Sequence, residues 1–217
     1  MSVPVKTIMN ESYLECFLHH CHKRKYPKNQ DILVPGDVND RLYYIVDGSI
    51  SITMKEQDDR EIVLAYLNKN DFIGEIGVFY GPNTLQVTVK TRSECTLAEI
   101  TLNRFHAIIR GEMAEFATDL LFAIGRQLAS RLLQANRKVG HLALLDVTGR
   151  IAKTLIDLCR EPDAMTHPDG MQIRITRQEI GRIVGCSREM AGRVLKDLER
   201  NGLISAKGKT IVVYGTR

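Results

Sequence analysis

The pattern of apolar and polar positions divides the chain into stretches of different periodicity. Between residues 26 and 100, short apolar runs alternate with polar residues, and turn signals such as those at 35–37 and 47–48 separate them. Many short strands with glycine-containing turns are typical of a β-sandwich or jelly roll. Residues 102–111 then predict a short helix, and most of the remaining chain has helical periodicity. The pattern therefore predicts an α+β protein with an N-terminal β jelly roll; residues 1–12 show no period and are expected to be a loose arm.

The longest periodic stretch begins near residue 115 and predicts one long helix. Its apolar positions repeat at alternating spacings of four and three: Leu121, Gly125, Leu128, Leu132, Ala135, Val139 and Leu142. This is the period of a coiled-coil seam, and it favours a parallel dimer helix. A helix buried against its own domain is the alternative interpretation of the same positions. A hinge is expected at residues 136–140.

A pair of short helices is predicted near the end of the chain. Thr176 followed by Glu179 is a capping-box pattern in front of an apolar helical face. Gly185 stands where a tight turn requires positive φ, and Ser187 is a suitable N-cap for a second helix. The second helix has its own apolar face, formed by Ala191, Val194, Leu195 and Leu198. Two capped helices joined at a glycine indicate a helix-turn-helix.

The opposite face of the second helix is charged and carries Arg188, Glu189, Arg193 and Lys196. Arginine can bind the O6 and N7 atoms of guanine, and glutamate can accept a hydrogen bond from the cytosine amine. The face therefore suits a G·C-containing site in the major groove. A solvated face on an ordinary helical hairpin is the alternative. Residues 202–214 then predict two short strands around a basic turn that includes Lys207, a wing able to touch phosphates.

The net charge of +4 is small, but the basic residues are concentrated at one end of the sequence. From Met171 onward the chain has 10 Lys or Arg against 4 Asp or Glu, whereas the preceding 170 residues have 20 against 22. The helix-turn-helix lies in the basic part. A nucleic-acid partner is therefore expected for that part alone.

Composition and motifs argue against several other classes of protein. No stretch approaches eighteen uninterrupted apolar residues and the N-terminus has no signal-peptide pattern, so a cytoplasmic location is expected. The five scattered cysteines favour reduced thiols over disulfides. No nucleophile–base motif or phosphate-cradling loop is present, so the chain is not expected to be an enzyme.

One group of potential metal ligands lies near the start of the chain. His19, His20, Cys21 and His22 are adjacent in sequence and could suggest a metal site. A basic surface segment leading into a strand is the favoured interpretation, because adjacent histidines cannot easily converge on one ion. No metal is therefore expected.

The run from residue 142 to 217, including the segments 145–150 and 164–172, resembles the bacterial cyclic AMP receptor protein (catabolite activator protein) family. The similarity extends more weakly back to about Leu14. It implies a homodimeric transcription regulator, without catalytic activity, that binds palindromic DNA with TGTGA-like half-sites and contacts RNA polymerase. It also implies a cyclic-nucleotide-binding-like β-roll at 1–114, a dimerisation helix and hinge at 115–140, and a winged helix-turn-helix domain at 141–217.

The resemblance also implies individual site residues. Those expected to bind DNA are Thr176, Arg177, Gln178, Ser187, Arg188, Glu189, Arg193 and Lys207. Those expected to contact RNA polymerase are His22, Arg24 and Arg104, together with Thr166, His167, Pro168 and Gly170 in an exposed loop at 161–170.

The ligand pocket expected from the resemblance departs from the family pattern. Residues 72–79 resemble the phosphate-binding cassette, and the family positions are Gly74, Glu75, Leu85, Gln86, Arg131, Ala135 and Asn136. The family has an Arg–Ser pair at 85–86 and a Thr–Ser pair at 135–136, and here no Lys or Arg occurs from Asp71 to Val89. A charge-assisted hydrogen bond contributes about 1.5–3 kcal/mol. Cyclic AMP binding is therefore expected to be weak or absent, and no cofactor is expected to be required.

These departures favour DNA binding that needs no ligand. A regulator gated by cyclic AMP, cyclic di-GMP or another small molecule is the alternative, although cyclic di-GMP is also anionic and would meet the same missing arginine. An architectural DNA-bending protein and a cyclic-nucleotide-processing enzyme are competing classes.

Overall fold

The computed structural model describes residues 11–55, 61–161 and 163–216. These residues form two compact units: the first comprises residues 11–53 and 65–133, and the second comprises the described residues of 54–64 and 134–217. The predicted α+β class is confirmed. Most of the expected N-terminal arm lies outside the described residues.

The first unit is built mainly from short strands. The strands of this part of the chain are β1 (His22–Tyr26), β2 (Asp31–Leu33), β3 (Val38–Asn39), β4 (Arg41–Asp47), β5 (Ile50–Lys55), β6 (Glu61–Leu67), β7 (Phe72–Ile73), β8 (Asn83–Thr84), β9 (Thr88–Thr91) and β10 (Cys95–Thr101). The end of β5 and residues 61–64 of β6 belong to the second unit. Two four-stranded sheets have the orders β1-β10-β4-β7 and β2-β9-β5-β6, and β3 pairs with β8. Non-consecutive neighbours in both sheets give the roll-like topology that the sequence predicted.

Strand β4 shows why this unit has two cores. Successive side chains of a strand point to opposite faces of the sheet. Leu42 and Tyr44 therefore pack in one buried cluster, whereas Tyr43 and Ile45 pack in the other. The first cluster is completed by side chains from four helices: α1 (Glu11–His19), α2 (Ile76–Tyr80), α3 (Leu102–Arg110) and the start of α4 (Ala117–Leu144).

The second unit contains three helices and one antiparallel sheet. Its helices are α5 (Val147–Leu158), α6 (Arg177–Val184) and α7 (Arg188–Arg200), and its strands are β11 (Met165–His167), β12 (Gly170–Arg174), β13 (Ile204–Lys207) and β14 (Thr210–Tyr214). The sheet order is β11-β12-β14-β13. Its core joins Ile151 and Leu155 of α5 to the apolar faces of α6 and α7 and to the inner face of the sheet.

Two segments differ from the sequence-based expectation. Residues 136–140 were expected to be a hinge, but the backbone stays helical through them until α4 ends at Leu144. Residues 161–170 were expected to form a loop, but they contain β11, which pairs with β12. Helix α4 continues through Gly140 because a single glycine is not enough to end a helix.

Among the described residues, no helix is both long and apolar enough to cross a membrane.

Candidate nucleic-acid interface

Helices α6 and α7 form a helix-turn-helix whose ends are capped as the sequence predicted. The Thr176 hydroxyl accepts a hydrogen bond from the Glu179 amide at 3.1 Å, and the Ser187 hydroxyl accepts one from the Met190 amide at 3.2 Å. Gly185 adopts the left-handed conformation, with φ of 72°. Each cap satisfies an amide that a helix start would otherwise leave without a partner. The turn is therefore specified by local contacts.

Close packing of the two helices depends on a second glycine. A Cβ atom added to Gly181 would lie 2.6 Å from the Cys186 carbonyl oxygen, so no larger residue fits there. Ala191 of α7 is fully buried in the same core. These small residues allow α7 to lie directly on α6, which leaves the other face of α7 outside.

The outer face of α7 carries three of the predicted site residues. Arg188, Glu189 and Arg193 are all exposed. Hydrogen bonds from its own backbone amide and from Ser187 hold the pKa of Glu189 below its usual value. Glu189 is therefore an ionised acceptor at neutral pH, next to two guanidinium donors. This is the donor and acceptor set that can distinguish base edges in a major groove.

Arg177 extends this surface from α6. Its side chain packs across Gly192: a Cβ atom at Gly192 would lie 3.4 Å from Cδ of Arg177 and 3.7 Å from Nη1. The neighbouring Gln178 is also exposed on the first turn of α6. Arg177 is thus brought to the same side of the unit as the outer face of α7.

Arg150 of α5 supports the turn and was missed by the sequence analysis. Its Nε donates to the Val184 carbonyl oxygen at 3.2 Å, and its Nη1 donates to the Leu145 carbonyl oxygen at 3.1 Å. It therefore joins the end of α6 to the segment between α4 and α5. Arg150 and Val184 are 34 positions apart, so no local sequence signal indicates this contact.

The predicted wing is formed by β13 and β14. Lys207 ends β13, and Gly208 has φ of 64° at the first of two turn positions. A glycine at this position suits a two-residue hairpin turn. Lys207 and Lys209 are both exposed. Two exposed ammonium groups beside α7 provide cations suited to phosphate oxygens.

The cassette at 72–79 in the first unit is held by its own ion pair. The buried Glu75 carboxylate is paired with Arg131 of α4, whose Nη2 also donates to the Phe72 carbonyl oxygen at 2.7 Å. Gln127 of α4 makes two further bonds to the backbone of Phe72, at 2.7 and 2.8 Å. Glu75 and Arg131, two of the predicted pocket residues, are therefore bonded to each other. Burial raises the pKa of Glu75, and the Arg131 guanidinium opposes this shift.

Gly74, one of the predicted pocket positions, has a structural role in this fold. Its φ is +80°, and a Cβ atom there would clash with the Arg41 carbonyl oxygen. The Gly77 amide is also occupied, because it donates to the Gly74 carbonyl oxygen at 3.0 Å. The glycine is required for the passage of the chain past β4.

The remaining predicted pocket residues offer no cation. Leu85 packs against the core between the two sheets, and Gln86 is exposed. Ala135 and Asn136 lie on α4, in the residues assigned to the second unit, and are exposed.

Two family models match separate parts of the chain. Residues 23–112 match the cyclic nucleotide-binding domain, and residues 173–204 match the bacterial regulatory proteins of the crp family. The CRP-like protein Clp of Xanthomonas campestris is 51% identical over 204 residues, which cover 94% of this chain and 89% of the relative. The chain belongs to the CRP family.

Solved structures agree with this assignment. The c-di-GMP responsive global regulator CLP of Xanthomonas campestris matches with a TM-score of 0.90 at 50% identity, over 95% of this chain and 100% of that chain. A CRP/FNR-family transcriptional regulator of Thermus thermophilus matches with a TM-score of 0.73 at 20% identity, over 88% and 93% of the two chains, and so shares the fold. This CRP-family protein is a DNA-binding transcription regulator and not an enzyme.

The positions that the family resemblance implied for RNA polymerase lie on two surfaces. His22 and Arg24 are exposed on β1, whereas Arg104 is exposed on α3 and pairs with Glu112 at 2.8 Å. Thr166 and His167 lie on β11, Pro168 follows in the turn, and Gly170 begins β12. Gly170 is buried, and a side chain there would meet the Val213 carbonyl. Its contribution is therefore to strand packing.

The four potential metal ligands at 19–22 do not form a cluster. Across the described ranges, no three His, Cys, Asp or Glu side chains are placed to hold one ion. Burial also raises the pKa of the Cys21 thiol to about 12, which disfavours the thiolate that a metal requires.

Proposed function

We propose that this CRP-family protein is a cytoplasmic, homodimeric regulator that binds palindromic DNA with TGTGA-like half-sites. The observation that carries the proposal is the outer face of α7, where Arg188, Glu189 and Arg193 are exposed opposite a buried apolar face. In helix-turn-helix proteins the second helix lies in the major groove. Two arginines and an ionised glutamate match a site that contains G·C pairs.

Phosphate contacts would set the position of α7 in the groove. We assign them to Thr176, Arg177 and Gln178 at the start of α6, to Ser187 at the start of α7, and to Lys207 on the wing. Helix starts present backbone amides, and Arg177 and Lys207 add positive charge. These groups would bind any sequence, so discrimination between sequences falls to the α7 face.

Dimerisation through α4 is supported by exposed apolar side chains on this helix. Leu132, Val139 and Leu142 of the predicted seam are 62%, 65% and 49% exposed. Leu121 and Leu128, earlier in the seam, instead pack on the core of the first unit. A second copy of α4 would cover the exposed part of the seam. Two-fold symmetry would then match the palindrome.

We further propose contact with RNA polymerase through two surfaces. One is the basic surface of His22, Arg24 and Arg104. The other is the β11–β12 hairpin, which presents Thr166, His167 and Pro168. The position of these residues on strand, helix and turn surfaces and the resemblance to the family support the assignment.

DNA binding by this regulator is proposed not to require cyclic AMP. No Lys or Arg occurs between Asp71 and Val89, and the nearby Arg131 is already paired with Glu75. A cyclic phosphate in this cassette would lack the usual cation.

A response to cyclic di-GMP is a second candidate, favoured by the 50% identity to a c-di-GMP responsive regulator. A change in operator affinity on adding cyclic di-GMP would support this candidate, and unchanged affinity would exclude it.

Two substitutions test the DNA interface. Arg193→Ala should weaken binding to a TGTGA-like half-site by about 1–3 kcal/mol and reduce discrimination at the base it contacts. Lys207→Ala should weaken binding to all sequences about equally. Fluorescence anisotropy with the operator and its single-base variants measures both effects, and Arg200→Ala at the end of α7 is a control of equal charge. Unchanged discrimination in Arg193→Ala would contradict the assignment, and weak preference in selection from random DNA would favour an architectural protein.

A further inference from the structure

Glu199, which is not one of the proposed DNA-binding residues, makes a hydrogen bond between α7 and the wing. It lies in the last turn of α7, and its Oε1 accepts a hydrogen bond from the Ala206 amide of β13 at 2.9 Å. A carboxylate near a helix C-terminus is unfavourable, because it faces the negative end of the helix dipole. The contact with β13 gives this residue a specific role at an otherwise unfavourable position.

The strand that Glu199 holds is the edge of its sheet. β13 pairs with β14 and is the last strand in the order β11-β12-β14-β13. Edge strands present backbone amides that lack a strand partner. The Glu199 carboxylate takes one of these amides, and it does so from the same helix that carries Arg188 and Arg193.

The other side of the wing is anchored as well. The Lys209 carbonyl oxygen accepts a hydrogen bond from the Ile175 amide at 2.8 Å, immediately before the N-cap of α6. Lys207 and Gly208 lie between the two anchors at Ala206 and Lys209. The basic turn is therefore attached on one side to the end of α7 and on the other side to the start of α6.

We propose that Glu199 is a positioning residue that fixes the basic wing relative to the DNA-reading helix. Six residues of helix, about 9 Å, separate Arg193 from Glu199. A wing held at this end of α7 would present the Lys207 ammonium to a phosphate while Arg193 contacts a base. The inference rests on the proposed function, because it concerns how Lys207 is presented to DNA.

A comparison of Glu199→Ala with Glu199→Gln separates the effect of losing the hydrogen bond to Ala206 from the effect of losing the charge. Both variants remove one negative charge, but only glutamine keeps an oxygen that can accept from the Ala206 amide. Glu199→Ala should bind the operator roughly 2- to 10-fold more weakly than Glu199→Gln. Asp197→Ala is a control for loss of an exposed acid on the same end of α7, where Asp197 contacts Arg200 at 3.4 Å. Circular dichroism establishes that each variant is folded.

A double-mutant cycle with Lys207 tests whether Glu199 affects operator affinity through the wing lysine or only through the stability of the fold. Lys207→Ala should cost less affinity in the Glu199→Ala background than in the Glu199→Gln background. The dependence of log Kd on log salt should also be shallower in Glu199→Ala, since fewer phosphates are neutralised. Equal costs in the two backgrounds, or equal affinities of the two Glu199 variants, would overturn the positioning role. If Lys207→Ala has no effect even in the wild type, the wing contact of the proposed function fails, and the inference fails with it.

Discussion

Arg131 and Arg193 have the same side chain, but their surroundings suit them to different roles. Arg193 lies on the outer face of α7, where its guanidinium is exposed. Arg131 is paired with the buried Glu75 and also donates to the Phe72 carbonyl oxygen. An arginine that already neutralises a carboxylate contributes little further attraction for a phosphate. Arg131 therefore stabilises the cassette, whereas Arg193 remains suited to a partner outside the chain.

The Glu75–Arg131 pair makes a prediction about stability and pH. Burial raises the pKa of Glu75 above its ordinary 4.5 in the folded protein. The folded state then keeps a proton that the unfolded state has lost, so this contribution to the free energy of unfolding is present below pH 4.5 and disappears as pH rises through the raised pKa. Glu75→Gln should therefore remove part of the decline in stability between acidic and neutral pH.

Denaturant unfolding followed by circular dichroism at several pH values measures this effect. Burial also raises the pKa of Asp71, so the variant should retain a smaller decline of the same sign. Wild type and Glu75→Gln with parallel pH profiles would show that Glu75 does not contribute in this way.

Residues with partners close in sequence were predictable, and residues with distant partners were not. Thr176 and Ser187 each accept from an amide three residues later, and Gly185 shows its role through the turn that it occupies. Glu199 and Arg150 bind atoms that the folded sheet and helices bring to them. Such contacts depend on the arrangement of elements, which helical or strand periodicity does not specify.

At the scale of elements, α4 combines two kinds of packing in one apolar repeat. Leu121 and Leu128 of the repeat pack on the core of the first unit, whereas Leu132, Val139 and Leu142 are exposed. The same repeat predicts either a dimer seam or a helix buried against its own domain. The packing of its first part on the core of the first unit matches the second interpretation. The exposed later part remains available to a second copy.

This division determines which substitution tests dimerisation. Leu132→Asp should produce monomers with poor operator binding, because a buried interface would contain an unpaired charge. Leu128 is a poorer choice, since it packs on the core of its own unit and its loss would also affect folding. Leu133→Asp is a matched control: Leu133 is 60% exposed but lies outside the seam. Sedimentation velocity distinguishes the outcomes, and a monomeric wild type would contradict the proposed dimer.

Strands were predictable where one face or both faces are buried. The apolar runs at 42–46 and 96–100 fall within β4 and β10. β1 was expected only as a basic segment before a strand, because four of its five residues are exposed and polar. It is nevertheless a strand, since it pairs with β10 at the edge of the sheet. Backbone pairing at an edge requires no apolar alternation.

At the scale of the whole molecule, the chain joins a cyclic nucleotide-binding domain to a basic helix-turn-helix region. A ligand controls DNA binding only if it binds the DNA-competent state more tightly than the other state. The cassette here satisfies its own charged groups without a ligand. We therefore propose that the family fold is kept, while Leu85, Gln86, Ala135 and Asn136 remove the contacts that would make cyclic AMP obligatory.

Operator binding by nucleotide-stripped protein tests directly whether this regulator binds DNA without cyclic AMP. The titration uses DNA with two TGTGA-like half-sites, without nucleotide and with saturating cyclic AMP, and a scrambled half-site serves as the control. We predict tight, site-specific binding without nucleotide and no change in Kd on adding cyclic AMP. A stimulation of about tenfold or more, equivalent to about 1.4 kcal/mol, would contradict the account.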